Sequence, residues 1–298
     1  MSRTEDVIGF LVMSSFWALN YPLVKIALLY EDPYYLLVFR VLFAAVFSLA
    51  IMHSKIRIPD GWRGQAKVAV LGMLNIVLFM EFWFAGEATE TSSLSSIIIY
   101  TYPILATLLA IPVLGERVSG TRGLGAALGL AGVVLIFVDH LVVHASAGLY
   151  FLIIGALSWA FGTVYYRKYL SKYDPIAVNT MQFVYALPVT AVVAAFTGPF
   201  SLGGFGWQFI GITVYMGSLG TFVAYLIYLR LYRKYSVSAI SSYFFLVPAL
   251  SIVFGYAILH ETISAISAAG FVLIGIGIFL TSRGSGARVR GTAAGATK

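Results

Sequence analysis

The feature that most constrains this chain is a succession of apolar runs, each about 20 residues long, separated by short polar or basic breaks. A helix of that length spans the hydrocarbon of a bilayer. Inside hydrocarbon a chain must satisfy its own backbone hydrogen bonds, and a helix does so locally. Runs over residues 7–27, 34–53, 68–86, 94–114, 121–138, 148–170, 176–196, 207–229, 237–259 and 265–281 predict an all-α polytopic membrane protein with ten transmembrane helices. Composition agrees: 60% of the residues are hydrophobic and only 10% charged, against about 25% charged in soluble domains. The first run extends past the length of a signal-peptide core, which predicts a spanning helix rather than a cleaved leader. No charge interrupts Pro175 to Leu229, a stretch too long for one crossing. Gly198, Pro199, Gly203, Gly204 and Gly206 divide it into two.

Lysine and arginine set the orientation of such a protein. Of the 19 basic residues, 17 fall in alternate connections or at the ends, and the other connections hold none. The remaining two, Lys25 and Arg40, lie inside predicted helices. The bias predicts cytoplasmic N- and C-termini and an even number of crossings. The Gly-, Ala- and Arg-rich residues 283–298 have nothing to bury and are expected to form a disordered cytoplasmic tail.

Several chemistries are excluded. There are no cysteines, hence no disulfide, thiolate metal site or cysteine nucleophile. The four histidines form no metal constellation with nearby carboxylates, and no metal or cofactor is expected. The net charge of +7 lies in clusters between apolar runs rather than along a groove, so nucleic acid is not the expected partner. The expected partners are the lipid bilayer and a small-molecule substrate, with the chain a monomer or weak oligomer.

The two halves repeat. Trp17-Ala18 recurs as Trp159-Ala160 and Asp32-Pro33 as Asp174-Pro175, 142 residues later. Further on the offset is 145: Gly72 with Gly217, Ser96 with Ser241, Pro103 with Pro248, Glu116 with Glu261, Gly125 with Gly270 and Gly132 with Gly277. Residues 7–138 and 148–281 thus form two five-helix repeats. Five is odd, so the second repeat must be inverted in the membrane, a design that places a transporter's site near the midplane between the halves. Replacement of Gly115 by His260 next to the repeated glutamate predicts a different turn there. Glycines on the fifth and tenth runs allow close helix packing, within or between subunits.

Polar residues inside spans are costly and mark functional sites by default. Arg40, its repeat partner Gln182, Glu81 and Lys25 are the candidates for intramembrane polar or gating roles. Structural ion pairing, or snorkelling of Lys25 to the interface, is the alternative. Asn20 lies one turn from Trp17 and has either the substrate or a neighbouring helix as partner. Ser92, Ser96, Tyr100 and Pro103 share one helix face, and the second repeat offers Ser241, Phe245 and Pro248. The two prolines predict matching helix bends. With Trp17, Phe79, Trp83 and Trp159 these residues would line an aromatic substrate cavity, ordinary packing being the alternative. Tyr165, Tyr166 and Tyr169, and likewise Tyr228, Tyr232 and Tyr235, stand beside basic residues as in an interfacial belt.

The segment from Pro103 to Gly132, its counterpart from Pro248 to Gly277, and SFWALNYPLVK at Ser15 to Lys25 resemble the EamA-type branch of the drug/metabolite transporter superfamily. Within it the chain looks most like YddG-type bacterial amino acid exporters. The resemblance covers residues 7–281. It implies an inner-membrane location, a central cavity between the repeats, and export of small neutral metabolites including aromatic amino acids. Another metabolite, a lipophilic cation, or a membrane scaffold without transport are the alternatives. No compact catalytic set emerges, so no enzyme is expected.

Overall fold

The structure is a computed structural model and describes residues 4–52, 59, 61–116, 120–143, 146–197, 206–261 and 264–283. Every regular element among these is helical. In chain order the helices are α1 (Thr4–Ala27), α2 (Pro33–Ile51), α3 (Gly61–Thr89), α4 (Ser92–Leu114), α5 (Gly120–Val143), α6 (Ala147–Leu170), α7 (Pro175–Thr197), α8 (Trp207–Lys234), α9 (Val237–Leu259) and α10 (Ala265–Arg283). All but α5 and α10 qualify by length and hydropathy as membrane spans among the described residues. The expected tail, residues 283–298, lies outside the described residues apart from Arg283.

Several helices outrun the predicted spans. Arg63 and Lys67 sit in the first turns of α3, and Arg230, Arg233 and Lys234 belong to α8 rather than to a connection. A charge does not end a helix: backbone bonding continues while the long side chains reach for water. Helix starts are set by local chemistry instead. The Asp32 carboxylate accepts from Tyr34 N (2.9 Å) at the start of α2, and Asp174 accepts from Ile176 N (2.8 Å) at the start of α7.

Polar contacts tie neighbouring helices at their ends. At one end Lys234 pairs with Asp6, joining α8 to α1, and Arg167 of α6 donates to the Tyr232 and Arg233 carbonyls. At the other end the Lys25 ammonium donates to the Glu87 and Glu90 carbonyls (2.7 and 2.6 Å), where it satisfies the C-terminus of α3.

The antiparallel helices α4 and α9 are tied at both ends. Glu116, just past α4, accepts from Val237 N and Ser238 N (3.0 and 3.1 Å) at the start of α9. Glu261, just past α9, accepts from Ser92 N and Ser93 N (2.7 and 2.9 Å) at the start of α4. Each glutamate therefore supplies acceptors to two N–H groups that a helix start leaves unpaired. The predicted difference in turn shape is corrected. Gly115 has φ 67° and ψ 22°, and His260 has φ 55° and ψ 32°. Closing the helix requires a left-handed residue, and histidine is among the side chains that tolerate that region.

Several irregularities fall at matching places, although the π-helical end of α6, Tyr166–Leu170, has no counterpart in α1. α3 contains a π-helical segment at Met73–Leu78 and α8 one at Ser218–Val223. Tyr100 and Thr101 interrupt α4 just before Pro103, and α9 passes through a 3-10 stretch, Ser241–Phe245, just before Pro248. Gly72 lets α3 approach α7 so closely that a Cβ would lie 2.8 Å from Gln182 O. Gly217 does the same for α8 on α2, with 2.8 Å to Arg40 O. α5 and α10 pack on each other through Gly132 against Gly270 O and Gly277 against Gly125 O.

Candidate functional site

The central enclosure is lined by rings from five helices. Trp17 and Tyr21, one turn apart on α1, face Phe79 and Trp83, one turn apart on α3. Tyr100 at the interruption of α4, Trp159 of α6 and Tyr225 of α8 close the enclosure, with Met80 and Arg40 in its wall. All of these residues are buried. Trp83, Phe79, Trp159 and Tyr102 form a continuous stack, with centroid separations of 5.6, 4.5 and 3.7 Å and interplanar angles of 13°, 15° and 20°. Trp17 meets Trp159 edge to face at 5.2 Å and 79° and lies against Phe244 at 5.9 Å. The free volume left between the rings is about 10 Å3, room for no more than one water. The residues expected to line a cavity thus meet in a tightly packed aromatic cluster rather than around an open space.

Arg40 is the charge in this wall, 1% exposed. Its Nε donates to Thr221 Oγ1 at 2.6 Å and its Nη2 to Gly220 O at 3.5 Å, both in the π-helical segment of α8. The guanidinium lies over the Trp83 ring at 5.0 Å and the Phe84 ring at 5.3 Å, which offsets part of its desolvation. Nη1 has no hydrogen-bond partner.

The other candidates are placed as follows. Asn20 turns to a neighbouring helix, donating from Nδ2 to Gly220 O at 3.1 Å, and its Oδ1 has no partner. Gln182 donates to Asn179 Oδ1 at 2.8 Å on its own helix, and its Oε1 is unpartnered. Glu81 is buried with neither oxygen paired, so the expected partnership with a basic residue is not made: Lys25 is held by carbonyls and Arg40 by α8. Ser96 donates to Ser93 O (2.7 Å) and accepts from Ser251 Oγ (2.5 Å), linking α4 to α9. Ser241 donates to Val237 O within α9, and Phe245 is buried beside it. Pro103 and Pro248 stand just beyond the irregular turns of α4 and α9.

Sequence reasoning missed Tyr21, Tyr102, Tyr225 and Phe244, and it missed Glu87, whose Oε2 accepts from Trp83 Nε1 at 2.5 Å behind the aromatic wall. The tyrosine belt is corrected in part. Tyr166, Tyr228 and Tyr232 are fully buried: Tyr228 Oη meets Thr163 Oγ1 at 2.6 Å, and Tyr166 donates to Leu229 O at 3.1 Å. Residues 225, 228 and 232 recur at helical spacing after Thr221, a signal that they share the inward face.

A bundle of long apolar helices around a tightly packed, ring-lined centre, with Arg40 the one buried guanidinium among the described residues, defines a multi-pass membrane protein. Comparison with known proteins gives the family. The profile of the EamA-like transporter family matches residues 6–138 and 146–283, and the chain belongs to that family. An uncharacterized transporter of Bacillus subtilis, YvbV, is 30% identical over 96% of this chain and 94% of its own length. A chloroplastic WAT1-related protein of Arabidopsis thaliana is 28% identical over 90% of this chain and 67% of its own. An uncharacterized transporter of Archaeoglobus fulgidus is 27% identical over 90% and 96%. A solved crystal structure shares the fold with a TM-score of 0.71 at 17% identity, covering 95% of this chain and 98% of the other.

Proposed function

We propose that this transporter exports small neutral metabolites, amino acids including aromatic ones among them, across a bacterial inner membrane. It does so by alternating access at the ring-lined centre. The observation that carries the reading is the enclosure itself: apolar aromatic faces for a side chain, with the buried Arg40 guanidinium in its wall. The direction of transport follows the resemblance to YddG-type exporters.

Two inverted halves of five crossings each support the mechanism. The glutamate ties, the π-helical segments, the left-handed turns at Gly115 and His260, and the packing of Gly72 and Gly217 all recur at the 145-residue offset. Two halves of like structure and opposite polarity open to one side or the other by like motions. Both ends of the α4–α9 pair are tied at once here, which fits an occluded intermediate. With the basic connections cytoplasmic, both termini lie inside.

Two alternatives are disfavoured by particular contacts. A lipophilic cation would meet the buried Arg40 charge. A scaffold would offer its close-packing glycines to partners, whereas Gly132 of α5 and Gly277 of α10 are spent on the α5–α10 contact itself. The test is a panel of labelled metabolites in proteoliposomes, with and without a proton gradient and membrane potential. Flux of neutral amino acids supports the reading. Flux of none of the twenty, together with flux of another metabolite, removes the substrate assignment.

A further inference from the structure

Arg40 is an expensive residue to hold at 1% exposure, and the fold answers only part of its demand. Nε and Nη2 are spent on α8 and the flat face on Trp83 and Phe84. Nη1 remains unpartnered, and among the described residues no carboxylate lies within ion-pair distance of the guanidinium. Arg40 also lines the central free space, together with Tyr21 and Tyr225. A buried, positioned guanidinium with an open N–H beside the site calls for a planar anionic acceptor, and a carboxylate matches its fork geometry.

We propose that Arg40 is the counter-charge for a carboxylate on the cargo, so that the transported class is carboxylates bearing an apolar or aromatic group. The inference rests on the central enclosure being the transport site, and it narrows the substrate class within that reading. The aromatic stack takes the apolar group, while the carboxylate completes the hydrogen bonding of Nη1. Because the rings leave so little free volume, the cargo enters only as they part, and the carboxylate then compensates a charge that the closed protein leaves under-satisfied.

The experiment compares three probes of similar shape: L-phenylalanine, L-phenylalaninamide, which lacks the carboxylate, and 3-phenylpropionate, which lacks the ammonium. Each is followed by flux in proteoliposomes and by quenching of the pocket tryptophans in the purified protein. The expected result on the unaltered chain is binding and flux of at least one carboxylate, with the amide at least tenfold weaker in both. Arg40→Gln should then weaken the carboxylates at least tenfold, and Arg40→Lys should restore part of the loss. Equal handling of acid and amide by the unaltered chain overturns the inference without recourse to a variant, as does failure of both carboxylates to bind or move. If 3-phenylpropionate moves in an Arg40-dependent way and no amino acid does, the amino acid reading falls and the carboxylate inference stands. If phenylalanine and its amide move equally well, the reverse holds.

Discussion

At the scale of single residues, the interior is organised by side chains that are missing as much as by those present. A Cβ at Gly217 would come within 2.8 Å of Arg40 O and 3.0 Å of Ala44 N, and one at Gly72 within 2.8 Å of Gln182 O. These are backbone neighbours, which no rotamer change can move aside. Gly217→Ala and Gly72→Ala should therefore each destabilise the protein by about 1–3 kcal/mol, read as a lower unfolding midpoint in detergent. Gly211, on the same helix as Gly217, has nothing within 4 Å of its would-be Cβ. Gly211→Ala should gain roughly 0.5–1 kcal/mol from helix propensity alone. A loss at Gly211 matching that at Gly217 would show that close approach is not the reason for glycine there. In the aromatic stack, Trp159 touches Phe79, Tyr102 and Trp17 at once. Trp159→Ala should abolish most flux while the protein still inserts and purifies; flux near that of the unaltered chain would remove Trp159 from the site.

At the scale of elements, the telling unit is the α4–α9 pair. Each glutamate tie accepts from two backbone N–H groups, and losing such a cap costs about 0.5–2 kcal/mol, enough to bias an equilibrium between two open forms. Glu261→Ala should loosen the end near Ser93, and Glu116→Ala the end near Ser238. Both serines are buried, and the chain has no native cysteine to confuse the result. A cysteine at Ser93 should become reactive to a small hydrophilic thiol reagent in the Glu261→Ala background, and one at Ser238 in the Glu116→Ala background. Response of neither, or of both to either substitution, would count against separate gates. Much of this architecture was legible beforehand. Apolar length marked the helices, and repeated pairs such as Glu116 and Glu261 marked the equivalence. Rotation about each helix axis was not legible, because a spanning helix is apolar both toward lipid and toward its neighbours, so hydropathy does not reveal the inward face. Hence Trp17 and Trp159 were found through the repeat, whereas Tyr21 and Phe244, ordinary members of apolar runs, were not. Lys25 and Glu81 stood out as charges, yet only three-dimensional contacts distinguish an ammonium spent on carbonyls from a carboxylate with no partner.

At the scale of the whole molecule, the proposed inversion has a direct test. Leu29, 82% exposed, follows α1, and Ser171 follows α6, its equivalent in the second repeat. Cysteines at these two positions should label from opposite sides of the membrane, Leu29 from outside and Ser171 from the cytoplasm; labelling from one and the same side would refute inverted halves. The aromatic centre also bears on the membrane in which the protein sits. A proton crosses a protein along a chain of water molecules, and an ion needs a hydrated path. A core with space for a single water at most, walled by stacked rings and carrying a fixed positive charge, offers neither. On the alternating-access reading proposed above, a carrier closed in this way would pass no ions through its ring-lined centre, and a cell could keep many copies in its membrane without draining the gradients that power everything else there.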